Sequence, residues 1–283
     1  RPLVTVEHLE NPCATAAQML ANGKVIGWVQ GRSEFGPRSL GNRSILADPR
    51  PAENMTRINK MIKKREGYRP FAPSVLAQHV EEYFEVPPGA TELPYMTCVV
   101  PVRSEKRALL GAVTHVDGTA RVQTVTYLQN KRYFKLIEAF EECTGVPILL
   151  NTSFNNNAEP IVDTLDEAIA CYLTTGLDAL FLGDFLITRA NEDWTGLSEM
   201  AVVVPDTVAV QHVDKSTGKN NRTQSRELVT LASDGRRRQV SEDTWKLLLA
   251  TRQKQTLADL MDAAGLKAQA REAVLSELRE LWG

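Results

Sequence analysis

The chain has 283 residues, of which 43% are hydrophobic and 24% charged, and its net charge is −2. That is enough chain for one large domain or two smaller ones, with an ordinary globular composition. A near-neutral total argues against general nucleic-acid binding, so a local run of cations marks a discrete anion site instead.

In chain order, ATAAQMLANGK predicts a helix stopped at Gly23, and Val25 to Val29 a short buried strand. That strand runs into Gly31 to Pro73, the most unusual stretch of the sequence. It carries Arg32, Arg38, Arg43, Arg50, Arg57, Lys60, Lys63, Lys64, Arg65 and Arg69 against only Glu34, Asp48, Glu53 and Glu66. Glycines and prolines punctuate its first half. Arginine forks and a closely approaching backbone suit a bound phosphate or carboxylate. Met55 to Lys64 predicts a helix with Met55, Ile58, Met61 and Ile62 inside, which puts Arg57, Lys60 and Lys64 on its wet face.

Ser74 to Leu76 reads as a strand, Val80 to Phe84 as a short helix and Tyr95 to Val102 as a strand. A connecting segment ends in the turn signal VDG, where His115 and Asp117 read as structural residues. Ala120 to Tyr127 is an expected strand, and Lys131 to Gly145 an amphipathic helix with Phe134, Ile137 and Phe140 on one face. Pro147 to Asn151 is a strand entering the loop TSFNNNAEP. A helix then opens at Asp163 or Thr164, with Glu167 at capping-box distance from Thr164. LDALFLGDFLI reads as strand, turn, strand. This alternation predicts an α/β fold with a twisted mixed sheet and flanking helices. No P-loop and no dinucleotide fingerprint occur.

Residues 196–225 read as a linker, with STGKNNRTQS as a flexible loop. Residues 226–283 read as a small helical module. One helix is marked by Trp245, Leu248 and Leu249, a second by Leu257, Leu260 and Met261, and a third by Val274, Leu275, Leu278 and Leu281. Three helices behind a strand resemble a winged-helix unit. Arg236, Arg237 and Arg238 lie among acids as well as bases, so docking is preferred to DNA binding as the module's role.

Cys13, Cys98, Cys143 and Cys171 show no CxxC spacing and are read as reduced and mostly buried. The histidines are scattered, and no metal ligand set is assigned. No apolar run approaches the roughly 20 residues that cross a bilayer, no signal peptide is visible, and a cytoplasmic location is expected.

Four segments carry a family likeness: GRSEFGPRSLGNRSILADPR, KKREGYRPFAPSVL, HVDGTARVQTV and GVPILLNTSFN. Together they resemble the C-terminal domain of the O-carbamoyltransferases that act on nodulation factors and antibiotics, over residues 20–190. The resemblance implies a fold like that of the threonylcarbamoyl-adenylate synthases, with its K-x-R at Lys63 and Arg65 and its S-x-N at Ser153 and Asn155. The first domain is therefore expected to be residues 1–195. The implied chemistry makes carbamoyl-adenylate from ATP, with its Mg2+, and carbamoyl phosphate. An N-terminal actin-like domain would then transfer the carbamoyl group to a small-molecule hydroxyl acceptor. That domain, which would hold the transfer site's metal, is not in this sequence. The chain opens on Arg1 rather than Met, as a piece of a longer chain would. A homodimer is left open.

Adenylate formation sets two anions against each other, and cations around both are the remedy. Lys63, Arg65 and Arg121 are assigned this catalytic role, and Arg38, Arg43 and Arg69 are assigned to ligand binding. Asn151, Ser153 and Asn155 offer neutral donors and acceptors to a planar carbamoyl group. Two positions depart from the family pattern. Ser39 stands where alanine is usual, and Ala158 where glycine is usual. Two further readings stand beside this one: a non-catalytic nucleotide-binding scaffold, and threonylcarbamoyl-adenylate synthesis for tRNA modification.

Overall fold

The computed structural model describes residues 3–63, 66–87, 89, 91–156, 160–190, 198, 208–216, 222–230, 237–251 and 255–282. Val4–Arg189 forms one compact unit, and Ala190–Trp282 makes up most of a second.

The first unit opens with strand β1 (Val4–His8) and helix α1 (Pro12–Ala21). The side chain of Asn11 accepts from the amide of Ala14, and Pro12 occupies the first turn, so α1 starts earlier than the sequence predicts. β2 (Ile26–Val29) follows, then β3 (Arg43–Ala47) and α2 (Glu53–Met61). β3 was not expected. All five of its residues are buried, so it lacks the alternation that marks a half-exposed strand. α2 stops before Lys63, whose amide reaches back to the carbonyl of Ile58 at 2.9 Å.

Next come β4 (Ala72–Leu76), α3 (Val80–Tyr83), β5 (Val99–Pro101), β6 (Thr119–Arg121) and β7 (Gln123–Val125). The sequence predicts one strand across the last two, but Val122 breaks it between two sheets. β6 pairs with β5 in a small two-stranded sheet, while β7 runs parallel to β4 in the large one. The unit closes with α4 (Lys131–Thr144), β8 (Ile148–Ser153), α5 (Leu165–Thr174), β9 (Ala179–Leu182) and β10 (Phe185–Arg189). α5 carries the expected capping box of Thr164 and Glu167.

The large sheet has eight strands in the order β1-β10-β9-β2-β3-β8-β4-β7. β2–β9 and β4–β7 are parallel and the remaining pairs antiparallel, so the sheet is mixed as expected. Helices α1 and α4 pack on each other, α4 also lies against β4 and β8, and α5 lies against β9. Trp28, Phe84, Tyr133, Phe140, Phe154, Tyr172 and Phe181 are sealed in the core. At about 25 cal/mol per Å² of apolar surface, each such side chain stabilises the fold by about 2–3 kcal/mol or more.

The second unit contains an antiparallel sheet of β11 (Val208–Ser216), β12 (Arg222–Thr230) and β13 (Arg237–Gln239). The segment read as a linker therefore holds β11 and the start of β12. Its polar residues masked a strand pair whose register runs from Val208 with Thr230 to Ser216 with Arg222. The three helices fall where the sequence predicts: α6 (Glu242–Ala250), α7 (Leu257–Ala263) and α8 (Ala268–Trp282). They share a core of Leu247, Leu248, Leu257, Leu260, Met261, Val274 and Leu278. Arg236 lies outside the described residues.

Among the described residues no helix is long and apolar enough to cross a membrane. No group of three or more histidines, cysteines or carboxylates could hold a metal there either. All four cysteines are free. Cys13 and Cys171 are buried, while Cys98 and Cys143 are exposed, against the expectation that most would be buried.

Candidate active site

A cavity of about 340 Å³ opens in the first unit. Pro37, Arg38 and Ser39 reach it from the glycine-rich loop between β2 and β3. Arg69, Pro70 and Phe71 come from the segment before β4, and Asn151, Thr152 and Ser153 from the end of β8. The small sheet supplies Val99 and Arg121, and Met96 and His115 complete the wall. Met96 has φ +54, a conformation a methionine adopts only under constraint.

The loop is built around one carboxylate. Oε1 of Glu34 accepts from the amides of Leu40 at 3.0 Å, Asn42 at 2.7 Å and Arg43 at 3.3 Å. The hydroxyl of Ser39 donates to the carbonyl of Arg43 at 2.5 Å and lies 2.7 Å from the hydroxyl of Ser44. The serine that replaces the family's usual alanine is thus a buried tie within the loop. Gly41 has φ +109, and a Cβ there would lie 2.3 Å from the Tyr133 ring, so the close approach requires glycine.

Arg43 does not reach the cavity. It is 6% exposed. Its Nη1 donates to the carbonyls of Gln30 at 2.9 Å and Asn42 at 3.0 Å, and its Nη2 lies 3.4 Å from the carbonyls of Gly31 and Asp163. Its fork satisfies main-chain acceptors, so the ligand-binding role expected of it is replaced by holding the loop to β3.

Arg121 is the opposite case. It lines the cavity, and its Nε is buried with no hydrogen-bond partner. Burial, then the nearby charge of Arg38, lowers its pKa from the ordinary arginine value. Neither Arg121 nor Arg38 has an ion-pair partner among the described residues. Two cations that repel each other, one of them desolvated, form a site that an anion would relieve. Arg69 stands at the same cavity, with its Nε 3.1 Å from a carboxylate oxygen of Glu66.

Lys63 sits behind this wall and is 4% exposed. Its ammonium donates to the carbonyl of Ser153 at 2.7 Å, the carbonyl of Asn155 at 2.9 Å and the Oδ1 of Asn155 at 2.5 Å. The hydroxyl of Ser153 donates to the same Oδ1 at 2.8 Å. Lys63 clamps the turn that presents Ser153 to the cavity and is not itself among the lining residues, so in place of the catalytic role assigned from sequence the structure gives it a positioning one. Arg65 lies outside the described residues, as does Ala158.

Asn151 is set in a relay whose polarity is fixed. Nε2 of Gln123 donates to the carbonyl of Leu40 at 2.9 Å, which turns its Oε1 toward Ser74 at 2.6 Å and Asn151 at 3.0 Å. Nδ2 of Asn151 also donates to the carbonyl of Ser39 at 3.1 Å. Asn151 thereby locks the glycine-rich loop onto β8, and its own Oδ1 is buried without a partner.

Of the residues assigned from sequence, the cavity gathers Arg38, Arg69, Arg121, Asn151 and Ser153. Lys63 and Asn155 join through the Ser153 turn. His115, Met96 and Gln123 were missed. The signal for His115 was its place in the VDG turn that leads into the strand of Arg121.

The carbamoyltransferase C-terminus family matches residues 17–189 of this chain. Nodulation protein NolNO of Sinorhizobium fredii is 50% identical over 99% of this chain, which spans 41% of that protein. Nodulation protein NolO of Bradyrhizobium diazoefficiens is 46% identical over 98% of this chain, which spans 50% of it. The 3'-hydroxymethylcephem-O-carbamoyltransferase of Amycolatopsis lactamdurans is 43% identical over 61% of this chain, which spans 32% of it. The chain thus spans half or less of the length of these curated relatives. With a family match that covers more than half of its residues, including every described residue that lines the cavity, the chain belongs to the carbamoyltransferase C-terminus family.

Proposed function

We propose that this chain is the carbamoyl-activating part of an O-carbamoyltransferase that acts on a hydroxyl of a natural product. The relatives' names support the class of reaction. The observation that carries the reading is the pair Arg38 and Arg121, two cations at one cavity, with the Arg121 Nε desolvated and unpartnered.

On this reading carbamoyl phosphate is hydrolysed to carbamate and phosphate. A carbamate oxygen then attacks the α-phosphorus of ATP, and pyrophosphate leaves. The second step brings two anions together, which arginines placed beforehand can offset. Arg38, Arg69 and Arg121 would hold phosphate oxygens. Asn151 and the Ser153 turn would orient the carbamoyl group. About 340 Å³ is at the small end of ligand sites, which suits the carbamoyl and phosphate groups with the nucleoside extending past the mouth. The hydroxyl-transfer step and its metal belong, on this proposal, to the portion of the relatives that this chain does not span.

The test is pyrophosphate release from ATP and Mg2+ with and without carbamoyl phosphate. The wild-type chain should release it only with carbamoyl phosphate present. Arg121→Ala should lower the rate by about 100-fold or more, the loss typical when one charge-stabilising donor is removed, with an unchanged melting temperature. Wild-type rates in the variant would sink the assignment.

A further inference from the structure

The cavity wall carries two acceptors that the oxygens of an acyl phosphate cannot satisfy: Oδ1 of Asn151, which is sealed from solvent, and a ring nitrogen of His115, which is not. Arg38, Arg69 and Arg121 only donate hydrogen bonds, and the oxygens of an acyl-phosphate dianion only accept them. His115 lines the same wall. Its protonation pattern follows from its neighbours. The hydroxyl of Thr119 donates to Oδ1 of Asp117 at 2.7 Å, and the amide of Thr119 donates to the same oxygen at 3.0 Å. A hydroxyl has one hydrogen, so toward Nδ1 of His115, 3.0 Å away, Thr119 can only accept. Nδ1 therefore carries the proton, and in the neutral ring Nε2 is a bare acceptor.

That acceptor is rigidly placed and open. The amide of His115 donates to the carbonyl of Thr119 at 2.8 Å, and the amide of Gly118 donates to the carbonyl of His115 at 2.9 Å, which closes the turn on itself. Nε2 has no hydrogen-bond partner among the described residues and is not sealed from solvent. Burial, reinforced by the positive charge of Arg121, lowers the pKa of His115 against the opposing pull of Asp117. The ring is thus neutral at physiological pH, with Arg38 and Arg69 as the other charges on the cavity wall.

A lone pair beside a phosphate is repulsive unless the ligand brings an N–H to it. Carbamoyl phosphate has such a group, its NH2, whereas acetyl phosphate has a methyl in the same place. We infer that His115 is a specificity-determining residue that accepts a hydrogen bond from the carbamoyl NH2 through Nε2, with Thr119 as the positioning residue that fixes its tautomer. This rests on the reading of the cavity as a carbamoyl phosphate site. It adds the basis on which that ligand is told from its isostere. A site built around a polar group rejects the analogue that leaves that group unpaired.

Calorimetric titration of the whole chain with carbamoyl phosphate, acetyl phosphate and inorganic phosphate tests it. The wild type should prefer carbamoyl over acetyl phosphate by about ten-fold, the ratio that one hydrogen bond near 1.4 kcal/mol supplies. His115→Ala should bring that ratio close to one by weakening carbamoyl phosphate, with acetyl phosphate unchanged. Thr119→Val keeps the side-chain shape and removes the tautomer lock. It should lower the ratio in the same direction. In the wild type the preference should fade as pH falls through the lowered pKa of His115, because a protonated Nε2 donates instead of accepting. In His115→Ala that pH dependence should vanish.

A His115→Ala variant that keeps the preference would overturn the inference. So would one that loses all three ligands equally, since that is the mark of a structural or purely electrostatic role. A wild type that binds both acyl phosphates equally would overturn the inference and leave the proposed function standing. A wild type that binds neither would overturn the proposed function as well.

Discussion

Arg43 and Arg121 belong to neighbouring motifs of one cavity but have opposite fates. Sequence shows both as arginines among glycines and small polar residues. Both leave a buried Nε without a partner, but the terminal nitrogens of Arg43 are taken up by main-chain carbonyls while Arg121 lines the cavity, and sequence cannot show which strand the backbone places beside each. The same holds for Arg50 and Arg57, which pair with Asp48 at 2.6 Å and Asp178 at 2.8 Å. The two variants should separate accordingly. Arg43→Ala removes several hydrogen bonds from one buried cation and should lower stability by about 2–3 kcal/mol in urea titrations. Arg121→Ala should leave the urea midpoint nearly unchanged and abolish phosphate binding. His115 adds a pH signature to stability. Its pKa in the folded chain lies below the unfolded value of about 6.5. The unfolded state therefore binds more protons between the two values, and stability falls as pH drops through that window. His115→Ala should flatten this part of the stability profile measured by thermal melts from neutral to mildly acid pH.

At the scale of elements, most of the first unit was legible. The helix stops at Gly23 and Gly145, the Thr164 capping box and the strand before the Ser153 turn all follow from local chemistry. β3 was hidden because a central strand buried on both faces lacks alternation, and its first residue is a charge. The split between β6 and β7 was hidden too, since nothing in ARVQTV says that two sheets share it. Only the tertiary pairing of Thr119–Arg121 with Val99–Pro101 aims Arg121 at the cavity. The loop between β2 and β3 gives a graded test of how tightly that wall is built. Gly31 has φ +50 with nothing within 4 Å of a built Cβ, whereas Gly41 has φ +109 and meets Tyr133. Gly31→Ala should cost about 1–2 kcal/mol, the conformational term alone. Gly41→Ala adds an overlap with a buried ring and should cost about 3 kcal/mol or more. Equal urea midpoints for the two would mean that the loop is not held against α4 as described.

At the scale of the molecule, the candidate site belongs to the first unit. Every described residue that lines the cavity lies between Pro37 and Ser153. A chain ending at residue 190 should therefore fold and bind inorganic phosphate within about two-fold of the full chain. Loss of binding in a folded truncation would assign part of the site to the second unit. The family was legible because long motifs carry it. The strands of the second unit were not, because a polar hairpin resembles a linker in composition. The central proposal is a division of labour: this chain activates a carbamoyl group, and the portion of the relatives that it does not span passes that group to an alcohol. Mass spectrometry on the full chain incubated with ATP, Mg2+, carbamoyl phosphate and a simple alcohol tests that most directly. The account predicts pyrophosphate and a bound carbamoyl-adenylate with no carbamoylated alcohol. Carbamoylated alcohol formed by this chain alone, or no adenylate at all, would contradict it.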